Sequence, residues 1–339
     1  MKRAIVYGFG SFYNNRKYLL PQDMEIVAFC VSEKEKATSH TGQYLDGKQI
    51  IYPNEIGKFD YDILAICTDV QNADEIFNTL KSSDVDPTKI LLLYRELPLV
   101  DIPNTQKWEY VVNKDLTIES RIGDVLAVER GGTDFMTLSE IYYQNCYHIS
   151  LKSNTVVVDM GMNVGFAALF FASHDEVENV YGFEPFPDTY KRACDNIGMN
   201  PDSICKKIHT SNIALADIDM TKKVSVITNH MGWRGINDKR IGAPEVEINC
   251  RRADKVLHEI IQKHEGKHFV LKIDTEGSEF PIFDVMDESC IFKYIDTIVM
   301  EYHDNPQPLI KRLNENGFVY YMNGTVLGGM LYAFNCNNV

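Results

Sequence analysis

Apolar residues recur in short β-branched runs separated by polar and glycine turns, and helical stretches fall between them. Arg3 to Tyr7, Met24 to Val31, Tyr61 to Cys67 and Lys89 to Tyr94 read as strands, with a helix predicted over 72–81. After residue 150 the rhythm resumes. Thr155 to Val158 is a buried strand, Phe166 to Ser173 an apolar helix and Val180 to Phe183 a second strand, followed by a helix over 190–199 and a strand over 207–212. Further strands are predicted at 223–228, 245–250, 269–273 and 295–300, then a helix over 308–316 and a closing pair at 318–322 and 330–335 turning at Asn323-Gly324. Strands alternating with helices imply parallel sheets. The expected fold class is α/β: a Rossmann-like sheet preceded by a smaller Rossmann-like domain.

The break in rhythm near Pro98 and Pro103 suggests three segments. Residues 1–97 form the first domain, 98–150 a linker and extension, and 151–339 the catalytic domain. Within the extension, a helix is predicted over 135–147 after the Arg130-Gly131-Gly132 loop. Its Tyr142, Tyr143 and Tyr147 fit a core face better than a substrate contact.

The unit from Thr155 to Pro185 carries the candidate chemistry. Its loop, Asp159-Met-Gly161-Met-Asn163-Val-Gly165, lies at a strand-to-helix turn, and Glu184 ends the adjacent strand. Ligands of open α/β sheets bind at such carboxyl ends. Asn163 replaces the middle glycine that a dinucleotide pyrophosphate wants, and Asp159 stands before the loop. S-adenosyl-L-methionine, which has no phosphate, suits an acidic loop better, and Glu184 can accept its ribose hydroxyls.

The motifs at 159–165 and 182–187, with Lys272-Ile-Asp274-Thr-Glu276-Gly277-Ser-Glu279, resemble those of FkbM-family methyltransferases. The resemblance covers roughly residue 147 onward and implies a class I, S-adenosyl-L-methionine-dependent enzyme acting mostly on hydroxyls. It also implies that Asn212, Ile213 and Ala214 lie beside the adenine. Met162 departs from the alanine usual in that family.

Asp274 ends one strand, and Glu301 and His303 end the next, so with Glu276 they form the best catalytic constellation. His303, ordinarily near pKa ~6.5, is a candidate base; Asp274 is a second base or an orienter of the hydroxyl. The same four groups are candidates to hold Mg²⁺. Acids at 276 and 279 are favoured by the helix dipole without any catalytic role, and Lys272 reads as structural. The loop from Asn229 to Asn237, with Trp233 and Arg234, is a candidate for acceptor selection.

In the first domain, Gly8-Phe-Gly10 with Glu33 is a candidate nucleotide site, but Tyr13 replaces the third glycine. Packing, oligomerisation or partner docking is the stronger expectation there. That domain is similar to nucleotide-binding-like domains at the front of enzymes of surface-polysaccharide synthesis.

The formal charge of −14 argues against a nucleic-acid partner. The eight cysteines lack a C-x-x-C pair or zinc spacing, so reduced thiols are expected. No apolar run reaches membrane-span length and the start lacks a leader pattern, so a cytoplasmic protein is expected. The reading is a methyltransferase acting on a hydroxyl of a sugar, another glycan acceptor or another small metabolite. The alternatives are a nicotinamide-dependent oxidoreductase and a non-catalytic scaffold.

Overall fold

The structure, a computed structural model of the 339-residue chain, describes residues 1–32, 44–83, 85–95, 108–226, 235–236 and 243–338. Glu33, Trp233 and Arg234 lie outside the described residues. The chain forms two compact units, one of residues 1–122 with 127–136 and the other of 123–126 with 137–339. The segment 98–150 is therefore divided between them.

In the first unit the strands are β1 (Lys2–Tyr7), β2 (Met24–Cys30), β3 (Tyr44–Leu45), β4 (Lys48–Ile51), β5 (Ile63–Ile66) and β6 (Ile90–Leu92), with helices α1 (Ser11–Arg16) and α2 (Val70–Leu80). They form a sheet of order β3-β4-β2-β1-β5-β6. All pairs are parallel except the β3–β4 hairpin. A further sheet contains β7 (Glu109–Val112), β8 (Ile118–Ile122) and β9 (Val125–Glu129), and α3 follows (Gly132–Tyr142), β9 and α3 each being divided between the two units. Tyr13 is buried with its ring edge on Phe29, centroids 5.8 Å apart. The aromatic ring thus fills core space beside the glycine turn of β1, where a dinucleotide fold has a glycine.

From residue 155 the second unit contains β10 (Thr155–Met160), α4 (Phe166–Ala172), β11 (Val177–Phe183), α5 (Pro187–Gly198), α6 (Asp202–Cys205) and β12 (Ile208–Ser211). A side sheet of β13 (Ala214–Ala216), β14 (Met220–Ser225) and β15 (Glu245–Arg252) follows, ordered β13-β15-β14. The chain then returns through α7 (Ala253–Lys263), β16 (His268–Ile273), α8 (Glu279–Glu288), β17 (Thr297–Tyr302), α9 (Gln307–Glu315), β18 (Phe318–Gly324) and β19 (Gly329–Asn335).

Among the described residues the main sheet runs β12-β11-β10-β16-β17-β19-β18. Its pairs are parallel except those that β19 makes with β17 and β18. The order reverses between β11 and β16 around β10, a switch point that opens a crevice at the strand carboxyl ends. Every residue of β10 and α4 is buried, as expected of a strand and a helix apolar on all sides. One face of the sheet packs Val156, Val158 and Met160 against Leu257, Phe283 and Leu313 from α7, α8 and α9.

One turn differs from the sequence expectation. Strand pairing of β18 with β19 continues to Gly324 and Gly329, so Asn323-Gly324 lies in the ladder and the turn spans 325–328. The two facing glycines permit this, since a Cβ on Gly324 would collide with Gly329.

Candidate functional site

The loop after β10 is curled by three left-handed residues, Gly161 (φ 81°), Asn163 (φ 51°) and Gly165 (φ 88°). Only glycine fits at 161, because a Cβ there would overlap the Asp274 carbonyl at the end of neighbouring β16. The amides of Gly161 and Met162 donate to the Phe183 carbonyl at 3.1 and 2.9 Å, tying the loop to the end of β11. Met162 points away from the crevice and packs on Gly182, whose missing side chain makes the room. Asn196 closes the far side, its amide donating to the Val164 carbonyl at 2.9 Å.

Glu184 is buried and doubly held. The Asn163 amide donates to Oε2 and the Phe186 amide to Oε1, each at 3.0 Å. Burial pushes its carboxyl up to about 7, against the lowering effect of those two amides. Asn212 braces the same corner, donating to the carbonyls of Glu184 and Pro185 at 2.8 and 3.0 Å.

A cleft is lined here by Gly161, Asn163, Glu184, Ala214, Asp274 and Glu276, among others. Phe183, Leu215 and Ile236 supply apolar wall. Asn163 Oδ1 and Ser278 Oγ are buried at the cleft and have no hydrogen-bond partner among the described residues. Such orphaned groups are expensive unless something else satisfies them, and they fit a polar ligand. The donor and acceptor set, with an acid at the second strand end, fits a ribose-bearing cofactor without phosphate.

Two expected cofactor residues lie behind this wall. Asp159 is fully buried, 3.0 Å from the Lys272 ammonium, and Ile213 packs against the main core. Lys272 also donates to the Gly161 carbonyl at 2.6 Å and sits 3.8 Å from Asp274. Burial opposes its charge, but Asp159 and Asp274 outweigh that and raise its pKa. Ala214, not Asn212 or Ile213, lines the cleft from that segment.

The second half of the site gathers the expected acids. His303 Nε2 lies 3.4 Å from Glu276, 3.8 Å from Glu301 and 3.9 Å from Asp274. Desolvation would lower the imidazole pKa, but the Glu279 hydrogen bond and the charges of Glu276, Glu279 and Asp274 carry it up to about 9. The ordinary value near 6.5 expected from sequence does not apply. Burial and the nearby Asp274 push Glu276 up to about 8 and Glu301 to about 7. Glu140 is raised for the same two reasons. One ligand atom each from Asp274, Glu276 and His303 falls within 4.8 Å of the others, a spacing that a shared cation could occupy.

Glu276 adopts φ 51° in the loop before α8, and its carbonyl sits where a Cβ on Gly235 would be. Glu279, expected only as a dipole partner, is the first residue of α8 and turns its buried carboxylate back into this cluster. Tyr147 is core, 5.6 Å from the Lys272 ammonium through its ring, and Tyr142 packs on Phe170.

Residues 159–320 match the family profile of the methyltransferase FkbM domain. The second unit is an FkbM-family methyltransferase domain. In its sheet β19 is inserted antiparallel between β17 and β18, and the domain matched is that of a methyltransferase. Residues 1–91 match a second profile, the N-terminal domain of C2185-like proteins.

The FkbM unit is similar to methyltransferase sdnD of Sordaria araneosa, 25% identical over 174 residues, covering 44% of this chain and 67% of that protein. It is also similar to AMB antimetabolite synthetase AmbE of Pseudomonas aeruginosa, 24% identical over 204 residues. That match covers 49% of this chain but only 9% of the synthetase. A solved FkbM methyltransferase from Methylobacillus flagellatus aligns over 98% of this chain and 90% of its own at 12% identity, TM-score 0.41. No helix among the described residues is long and apolar enough to cross a membrane.

Proposed function

We propose that the FkbM unit transfers the methyl group of S-adenosyl-L-methionine to a hydroxyl of a sugar or another small metabolite. The observation that carries this reading is the cleft itself, in which Gly161, Asn163 and Glu184 share one cavity with Asp274 and Glu276. When bound, the cofactor supplies an electrophilic methyl on a sulfonium. Glu184 and the unpartnered Asn163 Oδ1 are the groups that would hold its polar parts, and Asp159 would act indirectly, through Lys272 and the loop.

The acceptor hydroxyl must lose a proton as it is methylated. His303, held near pKa 9, is a cation at neutral pH and therefore a donor in the free protein. Asp274, in the cleft wall 3.9 Å from His303 Nε2, is the better placed acceptor, with His303 stabilising the charge it handles. The antimetabolite synthetase among the relatives favours a small-metabolite acceptor in natural-product synthesis.

The 4.8 Å grouping favours a second reading of the catalytic half, in which Asp274, Glu276 and His303 hold a divalent cation such as Mg²⁺. Calorimetric titration with S-adenosyl-L-methionine, repeated on Glu184→Ala and with and without Mg²⁺, tests both. Micromolar binding that Glu184→Ala abolishes is expected. Absence of binding by the parent protein would sink the proposal and favour a scaffold role, while NADH binding would favour the oxidoreductase.

A further inference from the structure

Glu279 is 0% exposed, yet the short motif around it leaves its carboxylate richly bonded. The Thr275 amide and hydroxyl donate to Oε1 at 3.0 and 2.9 Å, and the Gly277 amide donates to Oε2 at 3.0 Å. Those donors come from the loop that Glu276 and Gly277 bend through left-handed geometry, φ 51° and 97°. The loop thereby builds a cradle for its own downstream acid, and the acid cannot swing to solvent.

The Gly277 amide also reaches Oε1 at 3.2 Å, and His303 Nδ1 lies 3.2 Å from the same oxygen. A carboxylate that already receives several donors offers only lone pairs, so the hydrogen of this bond is on Nδ1. The opposite nitrogen, Nε2, then faces Glu276, Glu301 and Asp274. Rotation of the ring by a half turn would leave a buried carboxylate lone pair unmatched. The direction of the His303 ring is thus set by a residue that does not line the cleft.

We infer that Glu279 is the positioning residue of the site: held by the amides of Thr275 and Gly277, it fixes His303 with Nδ1–H inward and Nε2 in the acidic cluster. Its consequence for turnover rests on the methyl-transfer reading, but the geometry does not. A carboxylate placed behind an imidazole is a recurrent way to fix its orientation.

The test is ¹⁵N–¹H NMR of the full chain labelled at histidine, with His303 signals assigned by their loss in His303→Gln. The parent should show an Nδ1-bound proton displaced downfield and slow to exchange. Glu279→Leu, which removes the acceptor, should lose that downfield, slowly exchanging signal while calorimetric melting shows the unit still folded. Glu279→Asp, which keeps the charge but shortens the reach, serves if the leucine variant does not fold, and the same loss is expected. Persistence of the downfield Nδ1 proton in the folded variant would overturn the inference. Titration of the same samples with S-adenosyl-L-methionine separates the two claims: no binding by the parent refutes the methyltransferase proposal, whereas the fate of the Nδ1 proton still decides the role of Glu279.

Discussion

Lys272 reaches across the sheet to donate its ammonium hydrogen to the Gly161 carbonyl at 2.6 Å, joining the middle of β16 to the loop that follows β10. The same ammonium lies 3.0 Å from the fully buried Asp159. A buried charge left alone is far more costly than a pair that never existed. Lys272→Met should therefore destabilise the second unit by about 3–5 kcal/mol. Adding Asp159→Asn should recover part of that loss, which scanning calorimetry of both variants would show. Full additivity would mean that the two groups do not depend on one another.

The period of the hydrophobic pattern made the sheet legible, because buried parallel strands such as Val156-Val157-Val158 and a wholly apolar helix have few other solutions. Glu184 and Asp274 were legible as strand-end acids on the same edge. Asp159 was not, since sequence shows that an acid precedes the glycine loop but not which way it faces. The strict alternation of β10 turns it toward Lys272, away from the cleft. Glu279 was hidden for a related reason. Its helix-start position has an ordinary explanation in the dipole, and only the left-handed bend at Glu276 reveals that it curls back to His303. The side sheet pairs β13 with β15 across more than thirty intervening positions, a long-range contact that local pattern does not encode.

Two glycines with positive φ should respond differently to alanine. At Gly161 (φ 81°) a Cβ would overlap the Asp274 carbonyl, whereas at Gly277 (φ 97°) it would meet no atom within 4 Å. Gly277→Ala should cost only backbone strain, on the order of 1–2 kcal/mol. Gly161→Ala should cost more and abolish S-adenosyl-L-methionine binding, because the loop must move off β16. Melting temperature and calorimetric affinity of the pair check the ordering, and equal effects would argue against the close approach.

Glu184 has a signature in the pH dependence of stability. Its folded pKa of about 7 lies above the ordinary carboxyl value of 4.5, so the folded state holds the proton more tightly. Stability associated with this group is fully present below the unfolded value and declines as pH rises through the folded one. The gap corresponds to about 3 kcal/mol at most. Melting curves without cofactor should show the parent losing stability between pH 4.5 and 7 relative to Glu184→Gln. A parallel pH dependence in the two proteins would contradict the buried-acid picture.

Asp274→Asn should retain cofactor affinity yet lower methyl transfer to any hydroxylated acceptor by on the order of 10²-fold. The carboxylate is at the cleft wall, and the asparagine amide keeps its size while removing its capacity to take a proton. Turnover in a panel of sugars and hydroxylated metabolites, beside calorimetric affinity, checks this, and loss of both together would mean that Asp274 shapes the cofactor site instead.

His303 should reverse the pH trend expected for an ordinary acid pair. Its pKa is raised to about 9 because, despite desolvation, the Glu279 hydrogen bond and three carboxylates stabilise the imidazolium. The resulting stabilisation is complete below the unfolded pKa near ~6.5 and is lost as pH climbs through the folded value. His303→Gln should consequently melt below the parent at about pH 6, with the gap closing by about pH 10. Because the acids it neutralises remain, the variant should also bind S-adenosyl-L-methionine with little change while turnover falls more than affinity. A gap that stayed constant with pH would show that His303 contributes by packing and not by charge, and the electrostatic account of the cluster would have to be abandoned.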